Sequence, residues 1–238
     1  TYAKNRIQGA HITQMMNPDA PSVPIIQHPD VKRMLLWMKS HVEGMRLLNY
    51  YLGYKLDIEH CGKDDEKEEA KAIVDLLLPV CKAGNTDMSI LITSEAIQVY
   101  GGYGYCSDYP VEQFMRDSKI LSLYEGTNGI QSLDLTMRKI LMNQDQYNYS
   151  IFQKEVAKTI KSAKGIVDDK YIKPVEKGIE QLNEVIELFK EYMQSMKIQN
   201  IFIKATELQQ TMFMFVLAWL HLWSLTKTTP KKKELIGD

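Results

Sequence analysis

Residues Gln98 to Gln131 read QVYGGYGYCSDYPVEQFMRDSKILSLYEGTNGIQ. This stretch holds a glycine cluster, Gly101-Gly102-Tyr103-Gly104, then Arg116-Asp117, then a lone glutamate, Glu125, followed by Gly126. A carboxylate next to glycine is suited to proton abstraction, because the base can swing and backbone amides lie beside it. In water a glutamate is a weak base, with a reference pKa of about 4.3. Burial against an apolar ligand raises that value and makes it a stronger base. Tyr124 offers an apolar wall, and Gly126 lets another molecule approach the backbone closely. Thr127 and Asn128 offer polar contacts at a helix start, where backbone amides favour anionic or carbonyl groups. A plainer reading stays open beside this one: Glu125 caps the helix that begins near Thr127. Arg116-Asp117 reads as a local ion pair orienting the loop.

The glycines admit two readings as well. Gly101 to Pro110 cannot be regular helix, and its glycines suit positive φ between two helices. A dinucleotide fingerprint would need a preceding strand, which this context lacks.

Outside this stretch the chain is patterned for helices. Met34, Leu35, Met38, Val42, Met45, Leu48 and Leu52 follow steps of three and four, one face of a helix. Pro29 suits its first turn and Asp30 its positive dipole end. Lys63 to Lys71 is densely charged and reads as a loop tip or a solvated first turn. Ile73 to Val80 is apolar, and Pro79 is expected to kink or end that helix. Gly84 then reads as a helix stop, with Asn85 or Thr86 capping the next helix. A further helical pattern runs from about Ile130 to Leu141. Asn143 to Ser150 is polar and reads as a linker. Two helices follow, one through Val175, Leu182, Phe189 and Met196, the other through Ile201, Leu208, Phe215 and Leu222. They form an expected antiparallel pair joined near Gln199-Asn200. No segment shows convincing strand alternation. The expected fold is all-α, an up-and-down helical bundle with an added helical extension, divided at 1–143 and 144–238.

Composition narrows the function. Hydrophobic residues make up 45% and charged residues 25% of the chain, as in ordinary soluble globular proteins. A net charge of -1 gives no reason to expect nucleic acid, and the Lys231-Lys232-Lys233 run reads as a solvated tail. Three widely spaced cysteines, Cys61, Cys81 and Cys106, fit a reducing, cytoplasmic setting better than a disulfide framework. The five histidines never fall in a metal-ligand spacing, so no metal site is expected. The Met212 to Leu225 run is too short to span a bilayer. No signal peptide is read, and the opening Thr1-Tyr2-Ala3-Lys4 looks mid-helix, which suggests a piece of a longer protein.

Gln98-Val-Tyr-Gly-Gly-Tyr-Gly-Tyr, Tyr109-Pro-Val-Glu, Met115-Arg-Asp-Ser-Lys-Ile and Leu123-Tyr-Glu-Gly-Thr-Asn-Gly-Ile-Gln together resemble the C-terminal signature of the acyl-CoA dehydrogenases. Order and spacing match as well as residue type. Upstream, Tyr2-Ala-Lys-Asn-Arg-Ile-Gln-Gly and Pro24-Ile-Ile-Gln-His-Pro-Asp-Val-Lys-Arg-Met-Leu resemble helices of the same domain. The long helical tail is similar to the branch with a C-terminal extension, which includes the methylmercaptopropionyl-CoA dehydrogenases. Tyr109-Pro110 is closer to the general family.

The resemblance implies that Glu125 removes the α-proton of an acyl-CoA thioester while the β-hydride passes to FAD, leaving a 2-enoyl-CoA. The backbone amide of the base would help polarise the thioester carbonyl. Tyr124 and Gly126 would line the acyl site, and Thr127 and Asn128 would touch FAD. Arg6 would meet the FAD pyrophosphate of a neighbouring subunit, with Gln98, Gly101 and Gly102 near the adenosine end. The implied partners are an electron-transfer flavoprotein and further copies of the chain, as a homodimer or homotetramer.

Three positions depart from the family pattern. Arg6 is followed by Ile7, Gln8 and Gly9 rather than by an aromatic FAD contact, which leaves Gln8 as the candidate substitute. Pro29 stands where many members have a glutamine, and Gly129 replaces a polar residue. The family's N-terminal helical domain and middle β-domain have no counterpart in these 238 residues. The competing expectation is a non-catalytic helical assembly module derived from the same family.

Overall fold

In the computed structural model, which describes residues 1–228, the chain is built from helices with one small hairpin. A single turn, α1 (Tyr2–Asn5), leads into β1 (Ile7–Ala10) and β2 (Ser22–Pro24). Two long helices follow, α2 (Pro29–Cys61) and α3 (Asp64–Tyr100). Short α4 (Gly102–Tyr105) and α5 (Val111–Lys119) precede α6 (Asn128–Leu133). The chain then continues as a π-helical stretch, Asp134–Leu141. It closes with α7 (Tyr147–Ala163), α8 (Asp169–Gln194) and α9 (Ile198–Lys227). Lys231 to Lys233 lie outside the described residues. Among the described residues no helix is long and apolar enough to cross a membrane.

These elements form two compact units that interleave along the chain. The first comprises Thr1–Glu43 and Thr86–Tyr124, and the second Gly44–Asn85 with the described residues from Glu125 to 228. In the first, Ala3, Ile25, Met34 and Val99 form a small core covered by Tyr2, Val31, Leu35 and Met38. Tyr2 stacks on Tyr100 with ring centroids 4.1 Å apart and donates its hydroxyl to the Tyr100 carbonyl at 3.2 Å. Arg33 pairs with Asp30 at 2.7 Å and with Glu95 at 3.4 Å, so the charged start of α2 is tied to α3. The strands were not foreseen. They pair antiparallel with an irregular register, Ile7 opposite Pro24 and Ala10 opposite Ser22. Neither strand alternates buried and exposed residues, so no period-two pattern marks them.

The second unit has the larger core. Trp219 is fully enclosed by Tyr51 and Phe152, whose rings meet it edge-on, and its indole N–H donates to the Thr159 hydroxyl at 2.9 Å. That bond satisfies the indole's polar group inside an apolar core. Gly178 meets the Phe215 ring at about equal sequence distance from the Ser195–Lys197 connection, which makes α8 and α9 an antiparallel pair. The turn is made by Met196 with φ 59, and Gln199-Asn200 lie in the first turn of α9, not in the turn itself.

Two expectations about helix ends are overturned: α3 ends neither at Pro79 nor at Gly84, and neither Asn85 nor Thr86 caps a new helix. A proline in a helix interior costs about 3 kcal/mol. Around it Leu76, Leu77, Val80 and Ala83 are wholly buried, and each large apolar side chain returns about 1.5–3 kcal/mol. Gly84 is required by close approach: a Cβ there would lie 2.0 Å from the Phe213 ring of α9. The expected linker from Asn143 to Ser150 is also corrected, because α7 already begins at Tyr147. Tyr149 is buried there with its hydroxyl donated to Asn183 at 2.8 Å, and the Asn143 side chain accepts the Asn148 amide at 2.9 Å. The charged segment from Lys63 is the solvated first turn of α3, with Asp64, Asp65 and Glu66 at its positive end.

Candidate functional site

Glu125 occupies the left-handed region with φ 55, and Gly126 follows with φ 85. A side-chain-bearing residue in that region costs roughly 1–2 kcal/mol, and such residues cluster where the surrounding structure enforces them for function. α6 starts with Thr127 as its N-cap residue, although its side chain makes no capping bond. Glu125 therefore stands two positions ahead of the cap, and its main-chain carbonyl accepts from the Gln131 amide at 3.5 Å. Among the described residues no partner engages the Glu125 carboxylate, which is exposed to solvent. The capping role is thus not the one it plays. Tyr124, half-exposed, precedes it at the end of the first unit, its amide bonded to the Ile120 carbonyl at 3.2 Å.

Asn128 is placed differently from Glu125. It is buried, its amide donates to the Ala83 carbonyl at 3.2 Å, and its Oδ1 accepts from Lys82 Nζ at 2.9 Å. The same ammonium donates to the Gly126 carbonyl at 2.7 Å. Sequence reasoning missed Lys82. Its signal was a lone lysine in an otherwise apolar turn, between Val80 and Ala83, where a cation needs a partner. Next to it, burial pushes the Cys81 thiol up to about 11, so it stays protonated at neutral pH and is no nucleophile.

Four of the residues expected to hold a cofactor meet in the first unit. Arg6, Gln8, Gly101 and Gly102 line one open concavity of about 420 Å³, together with Tyr2, Tyr100, Tyr103 and Cys106. The Arg6 guanidinium lies 5.2 Å from the centroid of the Tyr103 ring and donates to Gln8 Oε1 at 3.4 Å. Gly101 has φ 62, and nothing lies within 4 Å of where a Cβ on Gly101 or Gly102 would stand. Gln98 does not line the concavity; its carbonyl accepts the Gly101 amide at 3.1 Å and so shapes the turn. A guanidinium, a side-chain amide, bare glycine backbone and exposed tyrosine faces suit an anionic pyrophosphate carrying flat rings. The residues present fit FAD on that count. The Arg116-Asp117 pair does not form. Adjacent helical residues do not face each other, and Arg116 pairs one turn back with Glu112 at 3.3 Å. Among the described residues no cluster of three or more metal-ligating side chains occurs.

The family model for the acyl-CoA dehydrogenase C-terminal domain matches residues 9–140, more than half of the chain. The chain belongs to the acyl-CoA dehydrogenase family. The match takes in the strained Glu125 turn, the Lys82 contact and the glycine cluster.

Among curated acyl-CoA dehydrogenases, the broad-specificity linear acyl-CoA dehydrogenase FadE5 of Mycobacterium tuberculosis is 41% identical over 145 residues, 60% of this chain and 24% of that protein. A butyryl-CoA dehydrogenase of Syntrophomonas wolfei is 42% identical over 146 residues, 61% of this chain and 23% of that protein. The 3-methylmercaptopropionyl-CoA dehydrogenase of Ruegeria pomeroyi is 40% identical over 141 residues, 59% and 24%. The chain thus spans about a quarter of the length of these relatives. The crystal structure of Caenorhabditis elegans ACDH-11 in complex with C11-CoA matches 99% of this chain and 37% of that one, with a TM-score of 0.80. At 20% identity that likeness shows the acyl-CoA dehydrogenase fold of the helical chain.

Proposed function

We propose that this chain supplies the catalytic base of an FAD-dependent acyl-CoA dehydrogenase that converts an acyl-CoA to a 2-enoyl-CoA. The observation that carries the reading is Glu125, held at φ 55 ahead of Gly126 with its carboxylate exposed and unengaged, inside the segment matched by the family. In this reading the Glu125 carboxylate takes the α-proton. Its backbone amide donates to the thioester carbonyl, where negative charge develops. Tyr124 and Gly126 line the acyl group, and the seated acyl chain desolvates the base. Arg6, with Gln8, Gly101 and Gly102 beside it, meets the pyrophosphate and adenosine end of the FAD of a neighbouring subunit, and Thr127 contributes its hydroxyl to the cofactor that Glu125 serves. Bound FAD supplies the hydride acceptor. The side chain of Asn128 has a second duty, joining α6 to α3.

The assembled enzyme is proposed to act as a homodimer or homotetramer in the cytoplasm and to pass electrons to an electron-transfer flavoprotein. The family match ends at residue 140, which supports the division into a C-terminal dehydrogenase domain (1–143) and a helical extension (144–238). The test uses protein expressed from the complete reading frame. Glu125→Gln retains flavin absorbance but loses acyl-CoA-driven bleaching by about 10²–10⁴-fold. Arg6→Ala loses flavin on dialysis while wild type keeps it. Unchanged bleaching in Glu125→Gln refutes the catalytic assignment and favours a helical assembly module.

A further inference from the structure

Two successive positive-φ residues carry the proposed base, and both of their carbonyls are held by side chains from outside the turn. The Glu125 carbonyl accepts from Gln131 Nε2 at 3.5 Å, and the Gly126 carbonyl accepts from Lys82 Nζ at 2.7 Å. The second bond is the shorter, and its donor carries a full charge, which roughly doubles its strength over a neutral bond. Lys82 also reaches Asn128 Oδ1 at 2.9 Å, and Asn128 turns its amide to the Ala83 carbonyl at 3.2 Å. The turn is therefore fastened at Gly126 and Asn128 to a single point on α3. That point is rigid, since Val80 and Ala83 on either side of Lys82 are wholly buried.

We infer that Lys82 is a positioning residue for the Glu125 turn, setting the direction of the carboxylate and of the Glu125 amide through the Gly126 carbonyl. The inference rests on the proposed role of Glu125. Pinning that carbonyl fixes the Gly126-Thr127 peptide plane and, with the Gln131 bond to the Glu125 carbonyl, narrows the rotations left to the two peptides before it, the earlier of which carries the Glu125 amide. Without the ammonium, the long Gln131 contact and the Asn128 bond to Ala83 are what remain to hold Glu125 in its strained conformation, and the turn is freer to relax toward ordinary φ values. A displacement of about 1 Å at a reacting group costs up to about 10²-fold in rate. Substrate binding depends mostly on contacts made elsewhere, so the loss falls on turnover. Cys81, the adjacent thiol, plays no part in the clamp: it donates to Asn49 at 3.1 Å.

The test compares Lys82→Met, Lys82→Arg and Glu125→Gln in protein expressed from the complete reading frame. Lys82→Met is expected to keep its flavin and melting temperature, to hold KM within about twofold, and to lose about 10- to 100-fold in kcat. Lys82→Arg, which keeps a cation donor, recovers most of that loss. Wild-type kcat in Lys82→Met overturns the inference, and so does a loss confined to KM or flavin content. If Lys82→Met folds poorly, hydrogen exchange of the 120–133 segment in the Lys82→Gln, Lys82→Arg and wild-type chains replaces it. Faster exchange confined to that segment in the neutral Lys82→Gln, with Lys82→Arg close to wild type, supports the clamp, and identical exchange in Lys82→Gln and wild type overturns it. Glu125→Gln separates the two claims. If it bleaches normally the functional reading falls; if it is dead while Lys82→Met turns over normally, only this inference falls.

Discussion

The two compact units differ in how far they seal their apolar side chains from water. In the first, the buried apolar residues Ala3, Ile25, Met34, Met88, Val99 and Val111 all keep 5–8% of their surface exposed. In the second, Leu48, Ile73, Leu76, Leu77, Phe152, Met212, Val216 and Leu220 are at 0%. Meanwhile Met16 in the first unit is 90% exposed and Tyr105 84%. The second unit is a packed helical core, and the Glu125 turn is mounted on it. The first holds a small core and an open concavity lined in part by tyrosines. The contrast teaches that the two proposed duties draw on different physics. A base must be aimed, and Glu125, the proposed base, belongs to the unit whose core residues are the more fully buried. A cofactor's phosphates must be reached, so their ligands lie where the backbone is bare.

Truncations can break that comparison. Trp219→Ala removes the centre of the sealed core and is expected to cost about 3–5 kcal/mol in denaturant unfolding. Gly84→Ala forces a methyl against the Phe213 ring and is expected to cost about 1–3 kcal/mol. Met34→Ala, in the first unit, is expected at the low end of core truncations, about 2 kcal/mol, because the core it belongs to is small and part of its surface stays exposed. Equal costs for Trp219→Ala and Met34→Ala, measured as midpoint shifts at constant m-value, would erase the distinction.

The helix start beyond Glu125 was legible because its chemistry is local: Thr127 and Asn128 are helix-start residues by type, whereas the left-handed φ of Glu125 was not legible, since only glycine favours that region by itself. The α2 start was legible for the same reason, since Pro29 and Asp30 are helix-start residues by themselves. Gly84 was not legible. It reads as a stop until Phe213, on another helix, is known to press against it. Pro79 misleads likewise, because burial of its neighbours outweighs local propensity. Lys82 binds a carbonyl 44 residues away, and a backbone acceptor leaves no trace in side-chain patterns. The hairpin strands are three and four residues long and mostly exposed, so no alternation could announce them. The start of α7 hid behind polar residues whose partners, such as Asn183 for Tyr149, lie on α8.

The central claim is that Glu125 removes an α-proton, and the most direct measurement is exchange of that proton with solvent. Protein from the complete reading frame is incubated with an acyl-CoA in D2O, and α-deuterium is followed by mass spectrometry. Wild type and Lys82→Arg are expected to incorporate deuterium at C2, and Glu125→Gln to incorporate none above the enzyme-free control. Incorporation by Glu125→Gln at the wild-type rate would contradict the account.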